Sequence, residues 1–260
     1  ERAGVMTKLE TALAAENFEA IIEASDAILL GRGDLGTDIG FENVPSVQRK
    51  VVRACRRMGR PVIVATQMLE SMINSPTPTR AEVSDVATAV CQEADAVMLS
   101  AETASGKYPF EAVKTMDRVI KSTESDSLRI RDLECDTLTP RKTTTDALCT
   151  AAKEAAEYSD ANAIALFTDS FATVLRCSAT RPRIPIILVT DSVSLAGKAG
   201  LCCGVYPAVE KINVEQIVKT ARSVVAERRL ATMGDNIIIV NDITAKSVEI
   251  CKVDTRNAIV

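Results

Sequence analysis

The chain has 260 residues, 47% of them hydrophobic but only 3% aromatic, with no Trp, no His and a formal net charge of −4. That length holds one large domain or two small ones around aliphatic cores. Lack of His excludes a Ser-His-Asp triad, His-ligated zinc and a phosphohistidine relay, the acidic balance leaves no electrostatic footprint for nucleic acid, and no apolar run approaches the ~20 residues that span a bilayer.

In chain order, the first half alternates strands and helices. Residues 5–7 read as a short strand, and residues 11–24 as a helix with apolar positions at Leu13, Phe18, Ile21 and Ile22. Residues 26–30 form the next strand, followed by the glycine-rich G-R-G-D-L-G at 31–36. Residues 43–58 make a basic amphipathic helix that Gly59 ends. The run P-V-I-V-A at 61–65 is a third strand. Thr79 and Glu82 form a capping box opening a helix to about Cys91. Residues 95–99 make a fourth strand, and residues 109–122 a fourth helix. Four βα units with near-continuous apolar strands imply a parallel sheet buried on both faces. Periodicity leaves open whether they close into a barrel.

Residues 123–142 are charged and weakly periodic, as a linker is. A second α/β unit follows. Helix 144–157 leads to strand 163–168 and a helix near 171–179. Strand 185–190 precedes a helix near 193–202. Strand 205–209, a long helix 213–230 and strands 237–241 and 248–253 complete a three-layer pattern of domain size.

The start, E-R-A-G, is no signal peptide and lacks an initiator Met, so the chain reads as cut from something longer. Its eight cysteines show no C-x-x-C pair, and Cys202 and Cys203 are adjacent. Zinc spacing is missing, which leaves buried free thiols in a reducing cytoplasm.

The chemistry gathers where strands end. Lys8 and Glu10, two apart, point to one face of a strand. An ammonium beside a carboxylate suits an anionic substrate and its counter-metal. Asp34 follows Gly31 and Gly33, whose missing side chains admit a ligand close to the backbone, and its carboxylate suits a hard cation. Thr66 emerges from P-V-I-V-A with a hydroxyl able to donate or relay a proton. Each group alone has a plain alternative: a solvated ion pair, an Asx-capped turn, a strand-end threonine. Parallel α/β folds place their sites at the carboxyl ends of strands, and these groups share that placement.

The motifs K-L-E at 8–10, R-G-D-L-G at 32–36, A-T-Q-M-L-E-S-M at 65–72, P-T-R-A-E at 78–82, S-D-V-A at 84–87 and M-L-S-A-E-T at 98–103 resemble those of pyruvate kinases, in order and near spacing. R-P-R-I-P-I-I-L-V-T at 181–190 and G-V-Y-P at 204–207 are similar to the family's C-terminal domain. The resemblance implies the second half of a (β/α)8 TIM barrel over 1–124, a linker at 125–142 and a three-layer α/β/α domain over 143–260. It implies transfer of the phosphoryl group of phosphoenolpyruvate to ADP, giving pyruvate and ATP in glycolysis, with Mg²⁺ or Mn²⁺. Glu10 and Asp34 match the metal carboxylates. Lys8 matches the lysine that neutralises the transferring phosphoryl and the enolate. The Gly33 and Asp34 amides match the substrate-carboxylate binders, and Thr66 the threonine that binds substrate and assists enolate protonation. Arg80 matches a region packed between subunits of a homo-oligomer, tetrameric in the family. No nucleic-acid or membrane partner is implied.

The chain also departs from the pattern. The matched motifs belong to barrel strands five to eight, so the earlier strands, the lid domain and the ligands of the family's K⁺ and nucleotide phosphates are missing. Half a barrel exposes two sheet edges and is not expected to be a stable monomer on its own. In T-D-S-F-A-T at 168–173, Phe171 stands where many relatives have glycine, leaving Thr168, Ser170 and Thr173 as the hydroxyl donors of the family's effector loop. Three readings compete: part of an active pyruvate kinase, a truncated non-catalytic homologue serving as a regulatory or structural partner, and another metal-dependent barrel enzyme such as an aldolase. The second domain and A-T-Q-M-L-E-S-M disfavour the last.

Overall fold

A computed structural model describes residues 3–126 and 143–253. The chain separates into two compact units, 1–137 and 138–260. Most of the expected linker, residues 127–142, lies outside the described residues.

The first unit carries strands β1 (Met6–Leu9), β2 (Ala27–Gly31), β3 (Val62–Ala65) and β4 (Ala96–Met98). All pair in parallel and in sequence order. This is the arrangement that successive right-handed βα units produce. The helices are α1 (Ala12–Glu16), α2 (Phe18–Ala24), α3 (Arg32–Ile39), α4 (Val44–Met58), α5 (Arg80–Cys91), α6 (Ala101–Ala104) and α7 (Pro109–Glu124). The core joins Leu9, Ile28, Leu30, Val62 and Val64 from the strands to Ile22, Leu35, Val51, Val52, Val86, Ala89 and Ala112 from the helices. Every residue of β3 is buried, whereas β1 is largely exposed and β4 half-buried. Burial on both faces thus holds for the inner strands. β1 and β4 each have a strand neighbour on one side only among the described residues.

Two boundaries differ from the sequence expectation for local reasons. The helix expected over 11–24 breaks at Asn17, whose side-chain amide donates to the Leu13 carbonyl and so competes with the helix ladder. The stretch after β2, expected as a glycine-rich turn, is helix α3 from its first residue. Its propensity is poor, but Leu35 is fully buried and Gly36 lies so close to Phe41 that a Cβ there would come within 2.5 Å of the ring. Tertiary packing holds this helix, not its intrinsic preference.

The second unit is a five-stranded sheet, β5 (Ala163–Phe167), β6 (Ile186–Thr190), β7 (Val205–Val209), β8 (Asn236–Asn241) and β9 (Ser247–Lys252). The spatial order is β7-β6-β5-β8-β9, with β9 antiparallel. Alternate residues of β5 enter different cores. Ile164 and Leu166 meet helices α8 (Thr144–Tyr158), α9 (Phe171–Ala179) and α10 (Val193–Ala199); Ala163, Ala165 and Phe167 meet α11 (Ile217–Glu227). Helices therefore cover both faces, the three-layer pattern expected. The long helix expected over 213–230 is shorter, with a 3₁₀ turn at Val214–Gln216 ahead of α11.

Among the described cysteines, Cys55, Cys149, Cys177 and Cys202 are buried as expected, but Cys91 is exposed and Cys203 and Cys251 lie between. Burial pushes the Cys55 thiol up, and contact with Cys149 together with burial does the same for Cys177. Such thiols are inert. No helix among the described residues is long and apolar enough to cross a membrane.

Candidate active site

The carboxyl ends of β1, β2 and β3 bring the expected groups together. Lys8 lies in β1 and Glu10 one residue past its end. Asp34 lies in the first turn of α3, directly after β2. The Lys8 ammonium contacts the Glu10 carboxylate and reaches Asp34 Oδ2 at 3.3 Å. Glu10 and Asp34 both raise the Lys8 pKa, so the ammonium stays charged through the neutral range. The Asp34 carboxyl is held below the usual carboxylate range, first by hydrogen bonding with Glu10 and then by Lys8. Asp34 also sits at a helix N-terminus, where negative charge is favoured.

The third wall is Thr66. Its hydroxyl accepts from the Gly33 amide at 2.9 Å and donates to the Ala65 carbonyl at 2.6 Å. Thr66 and the following Gln67 have φ of 68° and 54°. Left-handed backbone at two successive non-glycine residues, one of them β-branched, costs about 1–3 kcal/mol each. Such backbone persists where surrounding contacts fix it, and the carbonyls of this stretch converge on Arg32. This guanidinium, 6% exposed, donates to the carbonyls of Ala65 (3.3 Å), Thr66 (2.7 Å) and Gln67 (3.2 Å) and to Asp85 Oδ1 (2.6 Å). Sequence reading assigned Arg32 no part. The available signal was an arginine inside G-R-G together with the aspartate of S-D-V-A.

Two further carboxylates brace the loop after β3. Glu82 closes the capping box at Thr79 and also accepts from the Ser71 amide and hydroxyl, both at 2.6 Å. Buried Glu102 accepts from the amides of Leu69 (3.3 Å) and Ser100 (2.7 Å).

The sequence expectation assigns metal ligation to Glu10 and Asp34. No group of three or more His, Cys, Asp or Glu side chains gathers as a metal cage among the described residues. Two carboxylates at neighbouring strand ends fit a hard cation of the Mg²⁺ kind, which takes one or two protein carboxylates and completes its shell with substrate oxygens. Gly31 leaves Lys8 and Glu10 their room: a Cβ there would come within 3.0 Å of Lys8 Cε and 3.1 Å of Glu10 Oε2.

In the second unit, Thr168 and Thr173 both donate their hydroxyls to Asp242 Oδ2, at 2.8 and 2.6 Å. Lys246 contacts the same carboxylate. Ser170 caps α9 by accepting from the Thr173 amide at 3.4 Å. These groups lie at the carboxyl ends of β5 and β8, where the strand order reverses. Doubly wound sheets bind ligands at such a reversal, and here the buried Asp242 carboxylate takes up both threonine hydroxyls. Burial would raise the Asp242 carboxyl, but Lys246 and the two threonine hydroxyls outweigh it and hold it below the usual range. Arg80 is the exposed first residue of α5.

Fold and site define a protein of successive parallel βα units with a lysine–carboxylate cluster at its strand ends, followed by a three-layer α/β/α domain. Residues 1–113 match the family description "Pyruvate kinase, barrel domain", and residues 146–253 match "Pyruvate kinase, alpha/beta domain". A pyruvate kinase of Methylorubrum extorquens is 45% identical over 241 residues, covering 92% of this chain and 50% of the relative. Pyruvate kinase 2 of Synechocystis is 36% identical over 260 residues, covering 98% of this chain and 43% of the relative. The crystal structure of a pyruvate kinase from Cryptosporidium parvum superposes with a TM-score of 0.89 at 33% identity, over 96% of this chain and 51% of that one. The chain belongs to the pyruvate kinase family, and it spans about half the length of the relatives it matches.

Proposed function

We propose that this chain supplies the substrate-binding half of a pyruvate kinase active site, in which a completed barrel converts phosphoenolpyruvate, ADP and a proton to pyruvate and ATP. The observation that carries the reading is the Lys8 ammonium held between the Glu10 and Asp34 carboxylates at the ends of neighbouring parallel strands. On this reading residues 1–124 are the second half of the barrel, 125–142 a linker and 143–260 the C-terminal domain.

Glu10 and Asp34 would hold Mg²⁺ or Mn²⁺, which supplies charge neutralisation between the substrate's carboxylate and phosphate. The protein's own groups do the rest by position. The amides of Gly33 and Asp34 lie in the first turn of α3, without helix partners, and are assigned to the substrate carboxylate; the Gly33 amide donates to Thr66 Oγ1, a bond the carboxylate would share or replace. Lys8 puts a fixed positive charge where negative charge builds on the phosphoryl oxygens and then on the enolate oxygen. Such transfer depends chiefly on positioning and preorganised charge. Thr66, beside Gly33, is assigned to enolate protonation: its hydroxyl proton, donated here to the Ala65 carbonyl, would turn to the enolate carbon and be replaced from water.

The family's K⁺ and nucleotide sites fall on barrel strands this chain does not contain, and Arg80 is assigned to a subunit contact of a homo-oligomer. The cytoplasm is the compartment such a glycolytic enzyme works in. The test is ATP formation from phosphoenolpyruvate and ADP with Mg²⁺ and K⁺. The purified 260-residue chain is expected to be inactive and the full product of its gene active. Inactivity of the full product would favour instead a non-catalytic homologue acting as a regulatory or structural partner.

A further inference from the structure

We infer that Arg32 and Asp85 are a positioning pair, which holds Thr66 and Gln67 in left-handed backbone and thereby aims the Thr66 hydroxyl at the Gly33 amide. This deepens the active-site reading above and rests on it.

A left-handed pair after β3 turns successive carbonyls to one side. The carbonyls of Ala65, Thr66 and Gln67 all point at one guanidinium, the Thr66 contact being shortest at 2.7 Å. Among the described residues, seven non-glycine positions have positive φ, and Thr66 and Gln67 are the one adjacent pair. An ordinary backbone here would point alternate carbonyls away and break the convergence. The guanidinium is fixed in turn by Asp85 of α5, at 2.6 Å, and by Gln48 of α4, at 3.4 Å, whose own amide donates to Gln92 at 2.8 Å. Arg32 is therefore anchored to two helices outside the strand ends and pulls on the loop between them.

Its place in the chain adds the second half of the argument. Arg32 immediately precedes Gly33, whose amide meets Thr66 Oγ1 at 2.9 Å. Backbone and side chain of one residue thus tie both sides of that hydrogen bond. At 6% exposure, with its donors taken up by carbonyls, Asp85 and the Met68 sulfur, Arg32 does not reach a substrate. It acts through Thr66. Lysine is no substitute, because one ammonium cannot fork to three carbonyls and a carboxylate in a plane.

The test uses the full gene product with the variants Arg32→Lys and Asp85→Asn. Backbone hydrogen exchange at Gly33 is read by mass spectrometry, alongside kcat and KM for phosphoenolpyruvate. Both variants are expected to exchange the Gly33 amide about tenfold faster, the factor for one lost hydrogen bond. They are expected to lose up to about 10²-fold in kcat, the cost of a misplaced group. Adding Gln67→Gly to Arg32→Lys separates positioning from bulk stability. Glycine takes the left-handed conformation without the clamp, and Gln67 is exposed, so Gly33 protection and part of kcat should return. Unchanged Gly33 exchange in Arg32→Lys and Asp85→Asn, or no rescue by Gln67→Gly, overturns the inference. Full activity of Thr66→Ala would instead overturn the active-site reading, since Gly33 exchange reports the clamp whatever the reaction.

Discussion

Gly31→Ala separates the chemistry of the strand-end cluster from the stability of the fold. Gly31 has φ −89° and ψ 90°, backbone that alanine adopts freely. Replacing glycine at such a position narrows the unfolded ensemble and favours the folded state by about 0.4–1 kcal/mol. The new Cβ comes within 3.0 Å of Lys8 Cε, 3.1 Å of Glu10 Oε2 and 3.3 Å of Glu10 Cβ, so both side chains must give by a few tenths of an ångström. With side-chain exposures of 48% and 29% they have room to move. Their ion pair, this open to water, contributes about 0–1 kcal/mol. The opposing effects leave net stability within about 1 kcal/mol, a shift in Tm of about 2–4 °C for a domain of this size. The site responds more steeply. Displacing Lys8 and Glu10 together should lower kcat/KM for phosphoenolpyruvate by about 10- to 100-fold. The assays are thermal melting and steady-state kinetics on the full gene product. Activity within twofold of wild type would refute the argument that these two side chains are placed for catalysis. A fall in Tm far beyond 4 °C would refute the stability estimate.

Two further outcomes follow from the carboxylates. Glu82→Gln should weaken the brace between Ser71, Thr79 and α5, costing about 1–2 kcal/mol by urea unfolding at pH 7. Burial would raise the Glu82 carboxyl, but the Ser71 and Thr79 donors hold it below the usual glutamate range. Its stabilisation is therefore complete above the pKa of a free glutamate and lost as pH falls through the lower folded value, so the wild-type advantage should shrink on acidification. A difference that does not change with pH would contradict this. Asp242→Asn should free the Thr168 and Thr173 hydroxyls from a carboxylate, and phosphate, followed by NMR titration of the Ser170 and Thr173 amides, should bind the variant more tightly than wild type. Equal binding would show that Asp242 does not keep these hydroxyls from an anion.

The strands were legible because buried parallel strands are written as short apolar, β-branched runs. Residues 205–209 were placed to the residue, and most other strand boundaries to within one or two. The site was partly legible for the same reason: each polar group stands directly behind such a run. What escaped depended on distant partners. Helix α3 has two glycines and an aspartate in its first turns and forms because Leu35 and Arg32 are buried. The part played by Arg32 needs Asp85, 53 residues away. The left-handed Thr66 has no local sign, since threonine is a poor residue for that conformation. In the second unit, the hydroxyls of T-D-S-F-A-T looked available, and the carboxylate that takes them up sits 69 and 74 residues further on.

The central claim is that the Lys8 ammonium stabilises the transferring phosphoryl group. The most direct measurement is kcat for ATP formation by the Lys8→Met variant of the full gene product, with thermal melting as control. Lys8 is largely exposed, so the variant should melt close to wild type. Its kcat should fall by about 10³-fold or more, the order seen when a cation on a transferring phosphoryl is removed. A Lys8→Met enzyme that keeps kcat within tenfold of wild type would contradict the account.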